Sequence, residues 1–196
     1  MTSILPLLLF AAVATVTPGG ATTLATASGA RFGFVPSIPL MLGIAIGLAS
    51  LAAVAALGLG GLLLAVPSLQ AAVKVLGSAY LLWLASRIAR SGPPNAGDGL
   101  ARPVTLVNGF LLLWLNPKGW AMTVGAAASF ALLGGNPNHF AMLLGAAFGV
   151  AACASLALWC ALGVLLARLL RTPRHWRMLN LAMGALLAAS VIPTWR

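Results

Sequence analysis

The two stretches Thr17-Pro18-Gly19-Gly20 and Asn116-Pro117-Lys118-Gly119 each interrupt an apolar run near its middle. A proline inside a membrane helix removes a backbone donor and frees a carbonyl, which is tolerated where protein or a cavity satisfies the freed groups. Two such breaks at corresponding places in the halves of a chain point to a binding site built from repeats. The pair therefore predicts two broken helices around one shared site.

Composition places the chain among membrane proteins. Of its 196 residues, 61% are hydrophobic and 6% are charged, and the mean hydropathy is +1.05. A soluble domain of this length cannot bury so much apolar surface. Because the apolar runs are long and lack the alternation of barrel strands, we expect an all-α integral membrane protein.

Six transmembrane helices fit the hydropathy pattern. The expected spans cover residues 4–30, 38–66, 69–88, 104–133, 140–170 and 176–192, and helices 1 and 4 are broken near the midplane. Since each half has three spans, the halves must form two inverted three-helix repeats. We expect a single transporter domain over residues 1–196, with repeats at about 1–90 and 104–196 and a loop at 89–103.

Glycine pairs are a second sign of the repeat. Gly43 and Gly47 lie in the second expected span, and Gly145 and Gly149 lie at matching positions in the fifth. Small residues four apart allow membrane helices to approach closely. Such faces also permit a homodimer.

The basic residues predict the orientation of the chain. The net charge of +10 does not indicate nucleic-acid binding, because no soluble domain remains to carry it. Eight of the cations fall on one side of the expected membrane: Arg31, Arg87, Arg90, Arg102, Arg168, Arg171, Arg174 and Arg177. By the positive-inside rule this side is cytoplasmic, and both termini lie outside with Lys74 and Arg196.

The half-helices that begin after the two breaks are suited to bind an anion. A helix N-terminus carries a partial positive charge, and Gly19 and Gly20 permit close backbone approach. Lys118 lies about 20 Å from either edge of its span, too deep to snorkel, and adds a full charge. A carboxylate is the expected guest, to which Thr17 adds a hydrogen bond. Asn116 either satisfies a freed carbonyl or binds the same guest.

Proline chemistry at the second break makes one further prediction. Pro117 has no N–H, so the carbonyl four residues earlier, near Leu113, should lose its helical donor. The same reasoning applies to Pro18 in the first break. Both prolines are therefore candidate site residues that open the helices.

The third expected span carries two further candidate substrate ligands. Lys74 lies near its outer end and is either an interfacial anchor or a site residue. Tyr80, the only tyrosine, either packs or donates a hydrogen bond into the cavity. The single acidic residue, Asp98, lies in the central loop, so we expect no metal ion and no cofactor in the spans.

Six short motifs lie in a characteristic order along the chain. They are Thr17-Pro18-Gly19, SGARFGF at 28–34, LGIAIG at 42–47, VKVLGSAYLLWL at 73–84, NGF at 108–110 and LNPKGW at 115–120. Together they resemble the LysE/RhtB family of bacterial amino-acid exporters. The resemblance covers about residues 12–125, and the remainder is similar in hydropathy and length.

This resemblance implies a multi-pass carrier of the bacterial inner membrane, driven by the proton gradient or the membrane potential. The resemblance also implies that this carrier exports amino acids or related small carboxylate metabolites. The family usually has Thr-Pro-Gly-Pro followed by a polar residue, where this chain has Gly20 and Ala21. The first break therefore lacks a polar residue that the family usually has there, so the substrate can differ from the family's usual amino acids.

Two alternatives to a carrier remain at this stage. One is an accessory membrane protein that transports nothing. The other is a thiol-relay enzyme that uses Cys153 and Cys160, which share a helix face about 10 Å apart and cannot form a disulfide with each other. We expect the carrier, which is not an enzyme.

Overall fold

The computed structural model describes residues 4–58, 65–91, 103–133, 136–170 and 172–195, and within these ranges it contains helices and no β-strand. The α-helices of these ranges are α1 (Leu5–Val16), α2 (Gly20–Phe32), α3 (Phe34–Ala56), α4 (Pro67–Ala89), α5 (Leu106–Trp114), α6 (Pro117–Ser129), α7 (Pro137–Leu169) and α8 (Pro173–Ala189). Short 3-10 segments follow α6 at Ala131–Leu133 and α8 at Ile192–Trp195.

Side-chain caps set the starts of four helices. The capping residues are Thr105, Asn116, Asn136 and Thr172, whose side-chain oxygens accept from backbone N–H groups in the following turn. In α6, α7 and α8 a proline follows the cap directly. Proline is favoured there because its fixed φ suits the first helical turn and its missing N–H has no helical partner to lose.

Three of these helices are long and apolar enough to cross a membrane: α3 and α4 with 23 residues each and α7 with 33. The pair α1 and α2, bent by 57° at its break, raises this number to four if it forms one span. The second break, between α5 and α6, divides the fourth expected span into helices of 9 and 13 residues. With 17 residues, α8 is about 26 Å long, less than the hydrocarbon thickness of about 30 Å.

The helix bounds follow the expected spans in most places. The expected third span lies within α4, and the fifth begins three residues after the start of α7. The second was expected from residue 38, but α3 begins at Phe34, directly after Gly33, whose φ of 89° turns the chain between α2 and α3. The end of that span, at 59–64, and the loop at 92–102 lie outside the described residues.

The centre of the fold is the contact between α3 and α7. Leu40 and Ile44 of α3 and Leu144 and Phe148 of α7 are almost wholly buried in one hydrophobic core. The first broken pair, α1 and α2, packs on α7, whereas the second, α5 and α6, packs on α3. A separate pair is formed by α4 and α8. Each broken helix therefore leans on the long helix of the opposite half.

Glycines permit the tightest of these crossings. A Cβ at Gly29 of α2 would overlap the carbonyl of Cys160 in α7, and one at Gly163 of α7 would overlap the carbonyl of Thr26. The backbones of α2 and α7 therefore touch over about one turn of each helix, which fixes α2 firmly against α7.

The two glycine pairs that suggested the repeat have different neighbours. Gly43 lies against the backbone of Leu106 in α5, whereas a Cβ at Gly145 would lie 3.1 Å from the carbonyl oxygen of Ala49 in α3. Both positions support helix crossings. They do not support equivalent crossings, so these pairs are weaker signs of the repeat than the breaks.

The outer surface of the bundle is strongly apolar. Large aliphatic side chains on three helices, α1, α3 and α7, are more than two-thirds exposed: Val13 (68%), Val35 (72%), Val150 (71%) and Leu169 (71%). Continuous exposed apolar surface on helices of this length is typical of contact with lipid. The fold is that of a multi-pass membrane protein.

Candidate functional site

A small cavity lies where the two breaks meet. Its walls include Thr17, Gly19, Gly20, Asn116 and Lys118, five of the residues singled out in the sequence. Turns of α3 and α7 complete the walls through Ile44, Leu48, Ala152, Ser155 and Leu156. We call this space the central cavity. Its volume of about 40 Å³ holds about three water molecules.

The first break covers Thr17 to Gly19, between the end of α1 and the start of α2. The amide and hydroxyl of Thr17 both donate to the carbonyl of Val13, at 3.0 and 2.6 Å. Pro18 has no N–H, so the carbonyl of Ala14 loses its helical donor, and Ala14 lines the central cavity. The negative end of α1 therefore faces this space.

The last carbonyls of α1 are held by side chains from other helices. Ser155 Oγ donates to the carbonyl of Thr15 at 2.8 Å, and Trp159 Nε1 donates to that of Val16 at 3.1 Å. Lys118 Nζ donates to the carbonyl of Thr17 at 2.9 Å. Three successive carbonyls are thus satisfied from α7 and α6, as a helix end inside a membrane requires.

The second break is satisfied by its own neighbours. The amide of Asn116 donates to the carbonyl of Leu113 at 3.1 Å, and the indole of Trp120 donates to that of Trp114 at 2.8 Å. The carbonyl predicted to be freed at Leu113 thus finds a new donor within the break. The side chain of Asn116 accepts from the amide of Lys118 at 3.0 Å and caps α6.

The second break also lies earlier than expected. The sequence suggested an interruption over residues 116–119, but the non-helical residues are Leu115 and Asn116, and Pro117 is the first residue of α6. Proline is favoured at that position. Lys118 therefore projects from the first turn of a helix.

The two breaks are joined by Lys118. Its half-buried side chain crosses from α6 to the carbonyl of Thr17, 101 residues earlier in the chain. A Cβ at Gly19 would lie 3.3 Å from Lys118 Nζ, so glycine leaves room for the ammonium. That ammonium has three donors, and the hydrogen bond to Thr17 uses one of them.

Both second half-helices present their first turns to the central cavity. Gly20, Ala21 and Thr22 of α2 and Gly119 of α6 line it. The amides of a first turn have no helical acceptor and carry the partial positive charge of the helix. Together with Lys118, they make one side of the central cavity a group of donors suited to an anion.

The remaining predicted site residues lie elsewhere. Lys74 and Pro117 line a larger cavity of about 250 Å³ between α4 and α6. Tyr80 stacks on Trp83 with ring centroids 5.9 Å apart and packs against the core. Pro18 is exposed beside the first break.

Sequence reasoning missed two residues that hold the site together. Neither Ser155 nor Trp159 was among the site residues predicted from the sequence. They lie four positions apart, on one face of α7, and both donate to the end of α1. A polar residue one turn from a tryptophan inside an otherwise apolar run is the signal that marks them.

The thiols do not meet. Cys160 is buried and Cys153 is exposed, and both are free. Within the part of the chain that the structure describes, no group of three or more His, Cys, Asp and Glu side chains comes together as a metal site.

Fold and site together define a helical membrane protein with broken helices around a cationic cavity, the architecture of secondary transporters. The model of the LysE type translocator family matches residues 12–190. The chain belongs to this family of membrane translocators, as its motifs predicted. No curated protein and no solved structure matches the chain.

Proposed function

We propose that this protein exports an amino acid, or a related small carboxylate metabolite, across the bacterial inner membrane by alternating access. The observation that carries the proposal is the hydrogen bond of 2.9 Å from Lys118 Nζ to the carbonyl of Thr17. It places a cation between two helix breaks, at a cavity lined by the starts of both following half-helices. Such breaks at midplane are how transporters of this type bind anionic groups.

The carboxylate of the substrate binds to Lys118 and to the first-turn amides. Two N–H donors of the ammonium remain after the bond to Thr17, and Gly119 and Gly20 present their backbones beside them. Hydrogen bonds between charged partners are about twice as strong as neutral ones. Because the chain has only one acidic residue, Asp98, the guest itself supplies the negative charge that Lys118 needs in the membrane.

An α-amino group also has a place in this site. The carbonyl of Ala14 lost its helical donor to Pro18, and Ala14 lines the same cavity as Lys118. The C-terminal end of α1 carries a partial negative charge, and the starts of α2 and α6 carry partial positive charges. These two ends match the two charges of a zwitterion without any acidic side chain, which favours an amino acid over a simple carboxylate.

The apolar walls favour a substrate with a small or apolar remainder. Ile44, Leu48, Met122 and Leu156 line the central cavity away from Lys118. The position at which relatives carry a polar residue is occupied by Ala21, which also lines this cavity. We therefore expect aliphatic amino acids to be better substrates than acidic or amide ones.

Transport requires the central cavity to widen. Its volume of about 40 Å³ admits a few waters but no amino acid. The bond from Lys118 to Thr17 holds the first broken helix against the second, and a carboxylate that binds Lys118 competes with it. Substrate binding and helix separation are coupled in this way, since the ligand favours the state that frees the ammonium.

We also propose six spans in two inverted repeats. The packing supports this arrangement because the first broken pair lies on α7 and the second on α3. Exchange of the two halves maps these contacts onto each other and maps the α3–α7 and α4–α8 pairs onto themselves.

Counterflow into proteoliposomes tests the function. Purified protein is reconstituted and assayed with each of the 20 radiolabelled L-amino acids, beside Lys118→Ala and Arg168→Ala. The second variant removes an exposed cation from the end of α7 and controls for net charge. We expect saturable exchange for the unmodified protein and Arg168→Ala, and at least about a hundredfold loss for Lys118→Ala, since the charged donor between the two breaks is removed.

Two results would contradict the proposal. Exchange by Lys118→Ala at the unmodified rate would remove the anion site. No exchange of any amino acid by folded protein would favour an accessory membrane protein instead.

A further inference from the structure

One face of α4 lines two cavities and lies beside a third. Lys74, Leu81 and Ile88 follow each other at intervals of seven residues, which places them on nearly the same side of a helix. Lys74 lines the 250 Å³ cavity between α4 and α6, which we call the α4–α6 cavity. Leu81 packs on Gly20 beside the central cavity, its Cδ2 lying 3.1 Å from where a Cβ at Gly20 would be. Ile88 lines a third cavity, which also contains Arg31.

Each of these cavities contains one cationic side chain. Arg31 lies in the third, Lys118 in the central one and Lys74 in the α4–α6 cavity. From Lys74 to Ile88 the distance along α4 is about 21 Å, most of a membrane thickness. The cavities of Lys74 and Arg31 therefore lie at opposite ends of α4, and the central cavity adjoins the middle of α4 through the contact of Leu81 with Gly20.

The three cavities differ greatly in volume. The cavity at Arg31 has about 10 Å³ and the central one about 40 Å³, whereas the α4–α6 cavity has about 250 Å³. At the Arg31 end, Asn180 of α8 donates to the carbonyl of Ser91 at 2.6 Å and ties α8 to the end of α4. Of the three, only the space at Lys74 is large enough for a small metabolite.

The α4–α6 cavity combines one cation with mostly apolar walls. Its walls are one face of each helix, with Gln70, Val73 and Lys74 on α4 and Pro117, Trp120, Ala121 and Val124 on α6. Lys74 has no ion-pair or hydrogen-bond partner among the described residues. An unpaired ammonium on an apolar wall is unfavourable unless an anion or water reaches it.

The α4–α6 cavity adjoins the central one through a single turn of chain. Pro117 faces the α4–α6 cavity, and the next residue, Lys118, lines the central cavity. A carboxylate that leaves Lys118 therefore has to pass only one turn of α6 to reach the cavity that contains Lys74. This continuity favours the transported metabolite over a lipid headgroup as the occupant.

We propose that the α4–α6 cavity is a second carboxylate subsite of the transport route, with Lys74 as its cation. The inference rests on the proposed export function and adds a station to it. By the positive-inside count this end lies outside, so the subsite receives the metabolite after its release from Lys118. The state described here is closed at Arg31 and open at Lys74.

Sided transport kinetics test the second subsite. Lys74→Gln, Lys74→Arg and the charge control Arg168→Gln are reconstituted in vesicles of defined orientation, in pure phosphatidylcholine and with added phosphatidylglycerol. The probe is whichever of the 20 L-amino acids the unmodified protein exchanges fastest. We expect Lys74→Gln to raise KM about tenfold from the Lys74 side and less than twofold from the other, since one charged contact is lost. Lys74→Arg should restore the KM, and Arg168→Gln should leave it unchanged.

The outcomes separate this inference from the proposed function. The same change in KM on both sides for Lys74→Gln, relative to the unmodified protein, while Lys118→Ala is inactive, would overturn the second subsite and leave the exporter intact. An effect of Lys74→Gln that appears only with phosphatidylglycerol would also overturn it, because the partner would then be a lipid headgroup. Failure of the unmodified protein to exchange any amino acid would overturn both.

Discussion

The backbone carbonyls at the two helix breaks obtain their hydrogen-bond donors in opposite ways. At the first, the carbonyls of Thr15, Val16 and Thr17 take their donors from α6 and α7, more than one hundred residues away in the chain. At the second, Asn116 in the break and Trp120 in the first turn of α6 satisfy the carbonyls of Leu113 and Trp114. The first break therefore keeps its shape only while its neighbours stay in place.

This difference assigns a role to each break. The second break is a fixed support that presents Lys118, because its hydrogen bonds are local and move with it. We expect the first break, together with the helix α7 that holds it, to be the movable partner, because a shift of α1 and α2 relative to α6 ends the bond between Lys118 and Thr17. A carrier needs both, since one side of the site must hold the substrate while the other side opens.

The largest effect is expected from Gly77→Ala, which tests whether the second break is rigid. A Cβ at Gly77 of α4 would overlap the carbonyl oxygen of Leu115, which is backbone and cannot rotate away. We expect the free energy of unfolding in detergent to fall by about 1–3 kcal/mol, as for other overpacked sites, and transport to be lost. Gly125→Ala in α6 meets no atom within 4 Å and should be as stable as the unmodified protein. A Gly77→Ala protein of unchanged stability would mean that the second break yields.

Ser155→Ala tests the dependence of the first break on α7. It leaves the buried carbonyl of Thr15 without its donor, so we expect a loss of about 1–2 kcal/mol in thermal unfolding and slower transport. Ser86→Ala is the matched control. The hydroxyl of Ser86 donates an exposed hydrogen bond to the carbonyl of Trp83, three residues earlier in the same helix. Equal stability of the two variants would show that the first break does not need its distant donors.

Gly19→Ala should have the smallest effect on folding, and it isolates the contact between the breaks. The φ of Gly19 is −173°, an extended value that alanine adopts readily. The new Cβ would lie 3.3 Å from Lys118 Nζ, so the flexible end of the lysine must move by a few tenths of an ångström. We expect the free energy of unfolding to change by less than about 0.5 kcal/mol and KM to rise several-fold in counterflow. Unchanged KM would place the substrate away from this contact.

The sequence predicted the two breaks because proline and glycine act locally. Pro18 and Pro117 each mark an interruption within a residue or two of its observed place. The error at the second break is itself local, since proline prefers the first position of a helix to the break before it. The position of Lys118 beside a break inside the bundle was also predictable, from the depth of this residue in an apolar run.

The partners of the breaks were not predictable in the same way. That Lys118 reaches the carbonyl of Thr17 depends on the 57° bend between α1 and α2. That Ser155 and Trp159 face α1 depends on the rotation of α7, which the close contacts at Gly29 and Gly163 set. Contacts between such distant residues depend on how the helices pack, which cannot be inferred from the type of a single residue.

The most direct test of the central claim is whether Lys118 recognises a carboxylate. Binding to purified protein is measured for the amino acid with the fastest counterflow and for its carboxamide, with the unmodified protein and with Lys118→Met. We expect the acid to bind the unmodified protein at least about tenfold more tightly than the amide, and we expect this preference to vanish in Lys118→Met. The same acid preference in both proteins would contradict the claim and place the anion site elsewhere in the molecule.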